Sequence, residues 1–424
     1  MKILVIGSGA REHALVRSLK KDANTEVFCG PGNAGIANDV LTFQLDILNP
    51  ESVIELAKQL NADLVVIGPE GPLVAGVADP LRAAGFAVFG PNQQAAAIEG
   101  SKAFAKEIMF AAGVPTAESA VCSTPAEVNA ALSKFGAPYV VKDDGLAAGK
   151  GVVVTEDYEQ ALAHATDCIS GPTGGAVVVE EFLDGPEISL FGVTDGKTVV
   201  ALAPAQDFKR ALDGDAGPNT GGMGAYSPLD WAPADLVTQT IEKVLQPTID
   251  ELARRGTPFS GLLYAGLALT SKGIKVIEFN ARFGDPETQA VLARLESPLS
   301  ELLFAAATNR LADHPPLIWS ANPAVTVVMA AEGYPNTPQT GAVISGLDSV
   351  ANDDTSVLHA GTKHNDAEQV TVSGGRVLSI VATAPTVEAA REKAYATIHK
   401  IEFSGSQYRT DIALKASRGE INVP

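Results

Sequence analysis

Three cysteines in 424 residues, Cys29, Cys122 and Cys168, are too few and too scattered for a disulfide framework or a metal-ligand spacing. They read as small apolar core residues in a reducing compartment. Positive charge is also scarce: 31 Lys and Arg stand against 50 Asp and Glu, a net charge of -19. That balance disfavours general nucleic-acid binding, because the phosphate backbone would be repelled, but it leaves room for a local basic pocket. No uncharged run reads as a membrane span, since residues 315–331 carry Pro315, Pro316, Ser320, Asn322 and Pro323. The apolar start "MKILVIG" reads as a strand, too short for a secretory leader. Six histidines show no pairwise metal spacing, and His13, His359 and His364 read as structural or solvated. A Gly-x-Ser-x-Gly elbow is missing, which leaves a hydrolase triad without support. We expect a cytoplasmic monomer that works on small molecules, with neither nucleic acid nor membrane as a partner.

What is present is an ordered series of strands and helices long enough for several cores. Residues 1–101 alternate short β-branched runs with helical patterns, the signature of a parallel sheet flanked by helices. Three of its strands end in comparable turns, Gly7-Ser8-Gly9, Gly68-Pro69-Glu70 and Gly90-Pro91-Asn92, which should share one ligand-facing edge. From Ser101 the pattern changes to α+β. A compact α+β block able to move as a unit leads into a second block, followed by a final region of short strands and a helix over about 320–424.

Two glycine-rich turns invite a nucleotide reading, and both depart from the familiar patterns. "GSGARE" has Glu12 where a dinucleotide fingerprint needs Gly or Ala, so nicotinamide chemistry is disfavoured, although amides at a helix start could still suit a smaller phosphate. In "GLAAGKGV" only three residues separate Gly145 from Gly149, and Gly151 follows Lys150 where a P-loop places a hydroxyl for Mg²⁺. Something else must then hold the metal. "KVIEFNARFGDPETQ" offers it: in an extended strand Glu278 and Asn280 project from one face, and their oxygens suit Mg²⁺ beside phosphate. Arg282 shares that face if the strand continues, and Asp285 follows in a loop. Lys142 ends an apolar strand and needs an anion, either a phosphate or neighbouring Asp143 or Asp144. "PNTGGMGAYSP" provides a backbone that a ligand can approach closely.

Assembled, "GSGAREHAL", "PGNAG", "GSKAF", "DGLAAGKGV", "EEFLDG", "QDFKR", "GPNTGGMGAYSP", "IEFNARFGDPETQ" and "HAGTK" resemble, in order and nearly end to end, the phosphoribosylamine-glycine ligases of the ATP-grasp superfamily. The resemblance implies an N-terminal parallel-sheet domain over 1–101, a central ATP-grasp fold over 102–319 with a mobile lid over about 116–185, and a small β-rich α+β C-terminal domain over 320–424. It implies ligation of glycine to 5-phosphoribosylamine with ATP as cosubstrate and Mg²⁺ or Mn²⁺ on Glu278 and Asn280. ATP would meet Lys102, Lys142, Gly145, Ala148, Gly149, Lys150, Gly151, Glu180, Glu181, Phe182, Leu183 and Glu187. The substrates would meet Gly9, Arg11, Glu12, Asn33, Glu70, Asp207, Lys209, Arg210, Gly221, Gly222, Arg282 and Asp285, with Arg282, Asp285 and Lys142 in catalysis. Two positions differ from the family pattern: Asp143 stands where Ala is usual, and Phe208 where His is common. A related ligase with another substrate, or a nucleotide-binding protein without turnover, are the alternatives.

Overall fold

The computed structural model describes residues 1–146, 151–171, 175–350 and 354–424. Strands β1 (Lys2–Gly7), β2 (Glu26–Pro31), β3 (Leu41–Thr42), β4 (Leu64–Ile67) and β5 (Ala87–Phe89) form a parallel sheet in the order β3-β2-β1-β4-β5. Their near-continuous Val, Ile and Leu runs are buried on both faces, as helix-covered parallel strands require. Because β1, β4 and β5 are neighbours with a common direction, the three glycine turns lie along one edge, as their sequence predicts.

The lid is an antiparallel sheet, β6 (Ser119–Cys122), β7 (Tyr139–Asp143), β8 (Val152–Thr155) and β9 (Val177–Glu180), in the order β6-β9-β7-β8. Helices Pro125–Phe135 and Tyr158–Ser170 pack on it around Leu132, Val141, Ala161 and Val179. That apolar cluster is separate from the larger cores, so the lid is an island of packing held to the body by polar contacts. Pro115 accepts a backbone hydrogen bond from Val276, and the Thr116 hydroxyl donates to the Val276 carbonyl at 2.7 Å.

The central sheet has the order β11-β10-β16-β17, with β10 (Glu187–Asp195), β11 (Val199–Ala201), β16 (Ser260–Thr270) and β17 (Gly273–Asn280). The β10–β11 hairpin turns at Asp195 and Gly196. The helix between the two hairpins runs from Leu236 to Arg254 with a π turn over Ile241–Leu245. Pro247 has no amide to donate and crowds the carbonyl of the preceding turn, which accounts for the irregularity.

The C-terminal sheet crosses regions. Its order is β12-β15-β18-β22-β19, where β12 (Gln206–Asp207) and β15 (Gly224–Ser227) come from the centre of the chain. A hairpin of β13 (Arg210–Leu212) and β14 (Ala216–Asn219) projects between them, and β18 (Ala324–Ala330), β19 (Thr355–His359) and β22 (Arg376–Thr383) complete the sheet beyond the short pair β20 (Thr362–His364) and β21 (Val370–Val372). The stretch read as a ligand-approaching glycine loop is therefore partly a buried strand: Met223 and Tyr226 are in the main core, and β15 pairs with β18. This corrects the loop reading and explains why a Met and a Tyr sit among the glycines.

A polar seam joins the N- and C-terminal regions. His13 is fully buried; its Nε2 is 2.8 Å from Asp39, and its Nδ1 accepts the His359 amide at 2.8 Å. Arg17 also binds Asp39, while His359 Nδ1 faces Thr362 at 3.1 Å. Burial, then the charges near it at His13 and Arg17, push His359 down to about 3. A neutral His with a folded pKa below its unfolded value of about 6.5 leaves the unfolded chain holding more protons, so stability present above that pH falls as acid is added. We predict melting temperatures that decline from about pH 6.5 downward and a shallower decline in His359→Asn, measured by thermal melts from neutral to mildly acidic buffer.

Candidate active site

Lid, central sheet, N-terminal edge and C-terminal region surround one cavity of about 930 Å³. On the lid side the Glu180 carboxylate, 3 % exposed, is shared by two ammonium groups: Lys142 at 2.8 Å and Lys106 at 3.0 Å. Lys142 also donates to the Ile277 carbonyl at 2.9 Å, and Lys106 to the Thr116 hydroxyl at 2.8 Å. Burial lowers the Lys106 pKa, and Glu180 opposes it. Three buried charges of which one is negative leave this wall with a net positive charge, suited to an anion.

Asp144, one of the anions left open for Lys142, does not partner it. It caps the helix Lys102–Ala112 instead, accepting from the Ser101 hydroxyl at 3.0 Å and the Ala103 amide at 3.0 Å. Lys102 donates to the Gly145 carbonyl at 3.0 Å, which puts the glycine loop's first residue beside the lysine.

On β17, Glu278 and Asn280 both line the cavity, together with Ile277 and Phe279. A register shift opposite Gly266 and Leu267 falls before them and leaves their alternation intact. Lys209 bridges Glu187 at 2.9 Å and Glu278 at 3.7 Å. Burial would raise Glu278, but Lys209, Lys142, Lys102 and Arg282 outweigh it and hold the carboxyl below its ordinary value. Burial pushes Asp207 up to about 8, against Lys209 and with help from Glu287, Glu187 and Glu278. One carboxylate, one amide oxygen and no cluster of three or more His, Cys, Asp or Glu among the described residues is a donor set that fits Mg²⁺ completed by phosphate oxygens, not a protein-only cage.

Toward the N-terminal edge, Arg282 pairs with Glu99 at 3.0 Å and Glu70 at 3.2 Å, and Arg376 with Asp285 at 3.0 Å. Burial would raise Glu70, but Arg282 and Arg11 bring it down to about 2. Arg11 lies against Glu12 at 2.6 Å and reaches the Phe283 carbonyl at 3.3 Å. Paired guanidinium and carboxylate groups at such a wall hold fixed charge without solvent, ready to bind a polar, ionised substrate.

Family models for the N, ATP-grasp (A) and C domains of phosphoribosylglycinamide synthetase match residues 1–99, 100–288 and 324–415. The chain belongs to this family. It is 63 % identical over 421 residues to the phosphoribosylamine–glycine ligase of Streptomyces coelicolor, covering 98 % of this chain and 100 % of that one. The Leifsonia xyli ligase is 57 % identical over 420 residues, with 98 % and 100 % covered. The crystal structure of the Thermotoga maritima ligase superposes with a TM-score of 0.85 at 34 % identity, covering 97 % of this chain and 100 % of that one. A biotin carboxylase domain from Hydrogenobacter thermophilus, solved with MgADP and bicarbonate, shares the fold with a TM-score of 0.72 at 16 % identity, covering 96 % and 91 %. The chain is thus an ATP-grasp ligase of the purine-biosynthesis synthetase family, with the family's three-domain architecture. No described helix is long and apolar enough to cross a membrane.

Most of the synthetase residues expected from sequence meet in the cavity: Arg11, Glu70, Lys102, Lys142, Gly145, Gly151, Glu180, Glu181, Phe182, Leu183, Glu187, Asp207, Lys209, Arg210, Gly221, Glu278, Asn280, Arg282 and Asp285. Ala148, Gly149 and Lys150 lie outside the described residues. Four others are not on its wall. The Gly9 amide is not open to a phosphate, because Glu12 accepts it at 2.6 Å; that carboxylate fills the helix start itself. Gly7 has φ +132, and a Cβ there would stand 2.6 Å from Glu12, so glycine serves the packing of this acid. Asn33 spends its side chain on the Ser8 and His359 carbonyls and the Gly35 and Ile36 amides. Gly222, φ +108, gives room to Pro286.

Sequence reasoning missed Lys106, Glu99, Glu287, Tyr264, Arg376, Lys415, Ala416, Glu420, Ile421 and Asn422, all on the cavity wall. Lys106 had a signal: it follows Lys102 by four residues on one helix face. Glu180→Gln would leave two buried ammonium groups without their anion. We predict a loss of about 3 to 5 kcal/mol, larger than for Lys106→Met, read by urea unfolding monitored on lid and body probes.

Proposed function

We propose that this ligase couples ATP, glycine and 5-phosphoribosylamine to give glycinamide ribonucleotide, ADP and phosphate within this cavity. The observation that carries the reading is the juxtaposition of Glu278 and Asn280 with Lys102, Lys142 and Lys209 around one space. In this reading Lys102 and Lys142 bind the nucleotide phosphates, and Glu180 to Leu183 with Glu187 take adenine and ribose. Gly145 and Gly151 flank the loop that covers the phosphates. The Glu180 side chain is a counter-ion more than a ligand, so its share in adenosine binding falls to its backbone and neighbours.

Mg²⁺ or Mn²⁺, held by Glu278 and Asn280, would supply Lewis-acid charge to the phosphates. Arg11, Glu70, Asp207, Lys209, Arg210, Gly221, Arg282 and Asp285 face the glycine and ribosylamine side. A carboxylate is a poor acyl donor, so glycine attacks the γ-phosphate of ATP and gives glycyl phosphate, whose phosphate leaves when the ribosylamine nitrogen attacks the carbonyl. Lys142 and Arg282 offset the charge on the transferring group; their contribution is positioning and electrostatics. Arg282 is already oriented by Glu70 and Glu99, and Asp285 by Arg376, so little reorganisation accompanies binding. Lid closure keeps water from the acyl phosphate.

Phosphate release from ATP should require glycine and phosphoribosylamine together, in the presence of Mg²⁺; release indifferent to that pair would defeat the assignment. Chelation should abolish turnover, and Glu278→Gln should lower kcat by about 100-fold or more, a few kcal/mol of lost charge stabilisation. Malachite-green assays on folded variants measure both.

A further inference from the structure

The segment from Arg409 onward belongs to no sheet, yet it is fastened to the cavity at both of its ends. The Arg409 guanidinium is 1 % exposed. Its Nε and Nη2 donate to the two Asp411 oxygens at 2.7 Å each, and Nη1 donates to Asp215 at 2.9 Å and the Arg210 carbonyl at 3.2 Å. Its carbon lies 5.0 Å from the Phe208 ring centre. The Thr410 amide donates to Asp213 at 2.8 Å, and the Gly214 amide to Asp411 at 2.8 Å. This knot ties the segment to the β13–β14 hairpin, whose Arg210 and Asn219 face the cavity.

At Ala413 the backbone adopts φ +59, a left-handed conformation uncommon for a residue with a Cβ, and the chain turns into the short helix Leu414–Ser417. The turn directs the last residues of the chain back along the cavity. Ala416 and Ile421 pack against the main core, and Glu420, Ile421 and Asn422 line the cavity. The run ends against the lid linker: Pro424 Cγ lies 3.3 Å from where a Cβ on Gly185 would stand. Gly185 lies between Leu183 and Glu187, two of the residues that the proposed function gives to adenosine.

We propose that Ile421 and Asn422 form the outer wall of the base end of the nucleotide site, a binding role that rests on that assignment of the linker. A flat purine needs an apolar surface against its face and donor and acceptor groups at its edge. Ile421 supplies the first, and the Asn422 amide carries both of the second. The anchor at Arg409 holds this wall to the same hairpin that carries Arg210, so base and substrate sides share one support.

Isothermal titration of the full chain with ATP and with inorganic tripolyphosphate separates this role from a general effect on folding, because tripolyphosphate has no base. The double variant Ile421→Ala, Asn422→Ala should weaken ATP on the order of tenfold and leave tripolyphosphate unchanged. Equal weakening of both probes, or no change in ATP while Phe182→Ala weakens it, overturns the wall. If Phe182→Ala and the double variant both leave ATP unchanged, the linker assignment itself fails, and the wall with it.

Discussion

One carboxylate between two ammonium groups is the interaction on which the nucleotide side depends. Glu180 ends a lid strand, Lys142 lies on its lid neighbour, and Lys106 comes from the helix below the lid. All three are nearly out of water, where an unpaired charge would cost several kcal/mol. The pairing fixes the lid's inner wall to the body although their apolar cores are separate. It also leaves one positive charge in excess, which suits an anion.

The same logic repeats at the other wall with guanidinium groups. Arg282 is held by Glu70 and Glu99, Arg11 by Glu12, and Arg376 by Asp285. Each arginine comes from a different part of the chain, and each acid comes from a part different from most of the others. In this strongly acidic protein, Arg11, Arg282 and Arg376 are thus each braced by a carboxylate at one cleft. Binding a substrate there exchanges or adds ion pairs with little motion of the scaffold, which suits chemistry whose barrier is chiefly charge placement.

The helix start after β1 shows how a motif can be spent on structure. Free amides at such a turn would welcome phosphate. Here Glu12 folds back onto the Gly9 amide and braces Arg11, so the turn gives up its own anion site and presents a cation instead. The histidine seam below it is likewise structural: His13 and His359 link the N-terminal helices to the C-terminal sheet through Asp39 and Thr362.

Local periodicity was enough to reveal the parallel strands of the first region and the placing of Glu278 and Asn280 together near one strand end, because each depends on neighbours in the chain. Lys142 was legible for the same reason, as a lysine that ends an apolar strand, whereas Lys102, which opens a helix, entered only through the family resemblance. Only tertiary structure decided that Glu180 is the partner of Lys142, that Asn33 is consumed by backbone groups, and that Arg376 and the stretch from Lys415 to Asn422 belong to the cavity. Those outcomes depend on which distant elements come together, through strand pairing across regions and burial that forces charges to find partners. A linear pattern records the period of a strand or helix, but not the far residue that will neutralise it.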